Sequence, residues 1–116
     1  MTIRRIDIGP RMSKAVVHGH TVYLAGQVAE KALGKSVGEQ TQEILELVDA
    51  LLKEAGTDKT RVLSANIWLT DIGTFAEMNL AWDAWVPAGH TPARATVEAR
   101  LAAPQYKVEI AVIAAI

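Results

Sequence analysis

The sequence predicts an α+β domain in which one sheet carries both helices on a single face. Two observations carry that prediction. Runs at both ends of the 116-residue chain alternate apolar and polar residues with the period of a strand, whereas two interior segments repeat their apolar residues every three or four positions. The elements then follow in the order three strands, helix, strand, helix, two strands, and two helices can cover only one side of six strands.

The first three strands are the short runs "RRIDI", "KAVVHG" and "HTVYLAGQVA", broken by "GPRMS" and by the turn His18-Gly19-His20. From Ser36 the period changes. Ile44, Leu47, Val48, Leu51, Leu52 and Ala55 form an apolar stripe opposite Glu39, Glu43, Glu46, Asp49 and Lys53, and Gly56 ends the helix. "RVLSANIWLT" sets Leu63, Ala65, Ile67 and Leu69 against Val62, Ser64, Asn66 and Trp68, the pattern of a fourth strand. Asp71 to Val86 returns to helical spacing through Phe75, Met78, Trp82 and Trp85, and Pro87 stops it.

The last two strands begin at Ala93 and Lys107. Alternation places Arg94, Thr96, Glu98 and Arg100 on one side of the first and Ala93, Ala95, Val97 and Ala99 on the other. On the second, Val108, Ile110, Val112 and Ala114 oppose Glu109, Ala111, Ile113 and Ala115. The face turned away from the helices is expected to carry Val62, Asn66, Trp68, Thr96, Ala111 and Ile113. That mixture is too apolar to leave in water and too polar for an ordinary core, so self-association is expected to cover it.

The bulk numbers bound the function. Residues 1–116 are expected to form one domain with an unaided core. A formal net charge of -1 with no run of Lys or Arg argues against nucleic acid and anionic membranes as partners. With no cysteine there is neither a disulfide nor a thiolate nucleophile, and without a signal peptide or long apolar span the expected location is the cytoplasm. His18, His20 and His90 have no ligand-spaced neighbours, so they are read as turn residues and no metal is expected. The single glycine of "LAGQVA", Gly26, marks a bulge, a close backbone approach or an amide exposed to a ligand. The three tryptophans are read as core or interface anchors.

Arg94 and Glu109 are the charges that demand an account, each isolated among small and apolar residues. A guanidinium matches a carboxylate in shape, whether that carboxylate belongs to a side chain or to a small substrate. The pair is therefore either a structural ion bridge or the two ends of a binding site. Thr96, one step inward from Arg94, adds a hydroxyl.

"TPARATVEARL" followed by "VEIAVIA" resembles the C-terminal motif of the Rid family, the YjgF-like enamine/imine deaminases. "VYLAGQVA" resembles the family's strand ending in Ser-Gly-Gln, and "DIGTFAEMNLAWDAW" its Asp-x-x-x-Phe-x-x-x-Asn helix. The resemblance implies a chorismate-mutase-like fold with a six-stranded mixed sheet, a homotrimer, and ligand clefts between subunits. It further implies cofactor-free hydrolysis of 2-imino or enamine acids to 2-keto acids and ammonia. Arg94 matches the arginine that grips the substrate carboxylate, Glu109 the glutamate that positions water, and Gly26 the glycine lining the cleft. Thr96 falls where family members carry cysteine or a hydroxyl residue, and Asn79 matches the helix asparagine. Ala25 replaces the family's serine, and "RMSKAV" from Arg11 replaces a tyrosine, with Ser13 offering a hydroxyl nearby. The alternative function on the same residues is a non-catalytic trimer that binds small carboxylates or 2-keto acids as a sensor or scavenger.

Overall fold

A computed structural model describes residues 1–116 and contains the expected elements in the expected order. The strands are β1 (Ile3–Ile8), β2 (Ser13–His18), β3 (Thr21–Leu24), β4 (Val62–Leu69), β5 (Ala93–Glu98) and β6 (Val108–Ala115); the helices are α1 (Val37–Ala55) and α2 (Phe75–Trp85). They form one mixed sheet in the order β1-β2-β3-β6-β4-β5. Neighbours are antiparallel except β4 and β5, which run parallel because α2 carries the chain back between them.

Helix α1 owes its limits to its ends. The Ser36 hydroxyl accepts from the Glu39 N–H and the Glu39 carboxylate accepts in turn from that hydroxyl, a variant of the capping box. Gly56 closes the helix at a φ of 90°, a left-handed conformation that disfavours any residue with a Cβ. Ile44, Val48, Leu51, Leu52 and Ala55 of the expected stripe are buried, whereas Leu47 is half-buried and Leu45 buried in its place. Gln40 is also fully buried. Its side-chain amide donates to the carbonyls of Gln105 and Lys35 and accepts from the Lys107 N–H, which fixes the chain just before β6.

All 23 residues of the core lie between the sheet and the helices or at its margins. On β6, Val108, Ile110, Val112 and Ala114 are buried while Glu109, Ala111, Ile113 and Ala115 are half-buried, as alternation requires. Two of the residues expected on the open face are elsewhere. Val62 is buried because the register shifts between Val62 and Ser64: one extra residue in β4 turns Val62 inward and leaves Leu63 exposed at 52%. Thr96 pairs with Ile67, and directly paired residues share a face, so Thr96 points to the helix side. The open face instead presents Val16, Tyr23, Ile113, Asn66, Ala111, Trp68, Ala95 and Val97 in paired rows.

The shifted register predicts unequal costs for two similar truncations. Ile110→Ala removes a fully buried side chain and should lower the unfolding free energy by about 2–5 kcal/mol in denaturant titrations. Leu63→Ala should change it by less than about 0.5 kcal/mol; a comparable loss at both positions would contradict the shifted register.

Candidate functional site

The site residues fall into two groups, and the register decides which belongs to which. Trp68 pairs with Glu109 on one side and Val97 on the other, so these three share the open face. Arg94 pairs with the buried Ala65 and Thr96 with the buried Ile67, so both turn toward α2. Arg94 and Glu109 thus stand on opposite faces with β4 between them. The reading of the pair as a structural ion bridge within one chain is thereby ruled out.

The first group surrounds Glu109. After β3 the chain loops through Ala25 and Gly26 and touches β6 again at Gln27, whose N–H donates to the Ile110 carbonyl at 2.8 Å and whose carbonyl accepts from the Ile110 N–H at 3.1 Å. The buried Gln27 side chain folds back to donate to the Ala25 carbonyl, and the Ala25 N–H donates to the Lys14 carbonyl. This double attachment brings Gly26 against the Glu109 carboxylate. A Cβ at position 26 would overlap Oε2 and lie 2.9 Å from Cδ, so the Glu109 side chain would have to turn away from its place to admit one. The close approach expected at this glycine is present, made by the Glu109 side chain. Burial alone pushes the Glu109 carboxyl above its ordinary value, and no cation pulls it back, consistent with Arg94 lying on the far face.

The second group surrounds Arg94. Its Nη1 donates to Asn79 Oδ1 at 2.9 Å, and its guanidinium carbon lies 5.1 Å from the Trp82 ring centre and 5.7 Å from that of Phe75. These three partners sit at consecutive turns of α2, so the spacing Phe75, Asn79, Trp82 is one helical stripe facing β5. A guanidinium has five N–H donors, and this one spends a single hydrogen bond on the protein. The neighbouring Thr96 Oγ1 is buried without any partner, the only side-chain polar atom in the chain left so. Glu98, next on the same face, accepts from the Ile72 N–H and so belongs to the turn before α2, not to a charge ladder.

Ser13 opens β2 opposite Ile8 and shares the parity of the buried Ala15, so alternation turns it from the Glu109 side. Ala25 contributes backbone only. His18, His20 and His90 are exposed, the first two flanking Gly19 at the end of β2 and the third in the turn before β5. Sequence reasoning missed Gln27 and Gln40 as supports of the Glu109 strand. Their signal was present only in retrospect, as amides inside apolar segments.

Known proteins resemble this chain along its length. The profile of the family described as Endoribonuclease L-PSP matches residues 2–116. The RutC family protein YoaB of Escherichia coli K12 is 47% identical over 116 residues, covering all of both chains. Among solved structures, NMB1025 of Neisseria meningitidis, a member of the YjgF protein family, superposes with a TM-score of 0.96 at 50% identity over 99% of this chain and 95% of that one. YyfA of Yersinia pestis, a protein of unknown function from the Rid protein family, gives 0.86 at 30% identity over 94% and 90%.

Because burial raises the Glu109 pKa, its carboxyl favours the folded protein while protonated. That advantage is complete below its ordinary value of 4.5 and is lost as pH rises through the higher folded value. Glu109→Gln has nothing to ionise. Its melting temperature should therefore exceed that of the parent by a margin that opens above about pH 4.5 and levels off at higher pH; a margin constant from pH 4 to 8 would show that the Glu109 carboxylate carries no burial penalty.

Proposed function

Since the chain belongs to the Endoribonuclease L-PSP family, the family of the YjgF, RutC and Rid proteins, we propose that it hydrolyses 2-imino acids and their enamine tautomers to 2-keto acids and ammonia at clefts between the subunits of a homotrimer. The observation that carries this reading is the division of the site. Arg94 with Thr96, and Glu109 with Gly26, are each incomplete and face opposite ways, so chemistry that uses both must draw them from two copies. The half-apolar open face supplies the surface that copies would bury.

In this reading Arg94 from one subunit holds the substrate carboxylate through charge-assisted hydrogen bonds, with the Thr96 hydroxyl beside it. The neighbouring subunit's Glu109 holds a water against the C=N carbon. As the water oxygen bonds to that carbon, its proton passes to Glu109 and the C=N π pair moves to nitrogen, which takes a proton. The carbinolamine hydroxyl then gives its proton, by way of Glu109, to the nitrogen, and the C–N bond breaks as the C=O bond forms. One water is consumed, and one keto acid and one ammonia leave. A carboxyl whose pKa is already raised is a better base than an ordinary one, and Gly26, free of a side chain, leaves that carboxylate its place beside the backbone that meets the nitrogen end.

The same clamp would serve a protein that only binds small carboxylates, and Ala25, lacking the serine hydroxyl, favours that second reading. The deciding experiment generates 2-aminoacrylate and bulkier imines in situ with a dehydratase or an amino-acid oxidase and follows keto-acid formation. Acceleration by this protein supports hydrolysis; none, together with pyruvate binding, supports the binding trimer. Light scattering should give three times the 12.5 kDa chain mass, and a monomer at micromolar concentration would remove the shared cleft.

Two variants divide the roles. Glu109→Gln should bind pyruvate normally and lose roughly 10²–10⁴-fold in hydrolysis. Arg94→Ala should keep its fold and bind pyruvate roughly ten- to a hundredfold more weakly, the loss of about 1.5–3 kcal/mol of charge-assisted bonding.

A further inference from the structure

We propose that Trp82 is a positioning residue for the Arg94 clamp: its indole face holds the guanidinium in one plane, so that Asn79 takes one N–H and the remaining donors stay aimed at a carboxylate. The proposal rests on the carboxylate-clamp reading above and adds to it the group that makes the clamp rigid.

Three observations carry it. Arg94 has a single protein hydrogen bond, at 2.9 Å to Asn79 Oδ1, and one such contact leaves a long side chain free to swing about it. The Trp82 ring, 5.1 Å from the guanidinium carbon, supplies the second restraint, and Phe75, two turns earlier on α2, lies 5.7 Å from it. Phe75 is 40% exposed, whereas Trp82 is 5% exposed and itself immobilised. Its ring meets that of Trp85 at 5.3 Å, tilted by 52°, and the Trp85 Nε1–H donates to Asp49 Oδ1 on α1 at 3.0 Å. Lys59 lies over the outer Trp85 ring at 5.6 Å. A continuous ladder therefore runs from the long helix through two indoles to the guanidinium.

This arrangement separates two things an arginine near a ligand needs. Holding it with carboxylates would fix its position but neutralise the charge that attracts an anion. Aromatic faces fix its position and leave both the charge and the N–H fork available. Asn79, a neutral acceptor, fits the same logic.

The experiment places tryptophan, monofluoro-, difluoro- and trifluorotryptophan at position 82 alone and measures the pyruvate dissociation constant of the assembled protein by calorimetry. Fluorination drains the negative face of the ring with little change in shape, so stability should hold while log Kd rises stepwise, to roughly three- to thirtyfold weaker binding at the end of the series. In an Arg94→Lys background, whose compact ammonium cannot stack as a plane, the same series should have a smaller slope. A dissociation constant indifferent to fluorination, with tight binding throughout, would overturn the role of Trp82 and leave the clamp intact. Failure of the unsubstituted protein to bind pyruvate would instead overturn the clamp, and this inference with it.

Discussion

The parity of β6 is the constraint on which the rest depends. Two helices cover one face of the sheet, so every second residue of the central strands must be apolar and inward, and Val108, Ile110, Val112 and Ala114 meet that demand. Their position forces Glu109 outward. A slip of one residue would place a carboxylate in the core and four aliphatic side chains on the open face, so the core itself locks the candidate base in place. Gln40 and Gln27 both secure the same strand near its N-terminal end, one through the Lys107 N–H and the other through reciprocal bonds to Ile110.

Polar satisfaction is complete almost everywhere except at the two half-sites. Gln40 and Gln27 are buried and hydrogen-bonded; Thr41 donates to the Val37 carbonyl. Against that background an unpartnered Thr96 hydroxyl, an arginine with most of its donors unspent and a carboxylate raised by burial without a nearby cation are all departures from the pattern that stability favours. They occur at positions that the family resemblance also singles out.

Most of the fold was legible because it rests on local chemistry. Ser36 and Gly56 bracket α1, Pro87 stops α2 just after its last residue, and period-two runs mark the strands. The candidate residues were legible too, but not their arrangement. Arg94 and Glu109 look like partners in the sequence because one is the lone cation and the other the lone charge on its strand, and only the insertion of β4 between β5 and β6 reveals that they face apart. Val62 and Leu63 exchanged places because a bulge inserts one residue that alternation cannot foresee. Thr96 was assigned to the wrong face for a related reason: the parity of an edge strand is set by its neighbour, not by its own composition. The aromatic bracket of Arg94 required α2 to be docked on β5, a contact between residues 12 to 19 positions apart.

A site divided this way has a thermodynamic consequence. Under the proposed sharing of the site, a ligand that bridges Arg94 on one copy and the Glu109 side of another binds the assembled state and not the separated chains, so ligand and assembly stabilise each other by the same free energy. Each half meanwhile bears its own cost when unfilled, a desolvated carboxylate on the open face and an orphaned hydroxyl beside the clamp. Those costs lie at the edges of the hydrophobic core, which is built entirely from one chain and survives without them. The fold can thus tolerate an imperfect site because the residues that hold the sheet to its helices and the residues that would hold a ligand are, by strand parity and strand order, different sets.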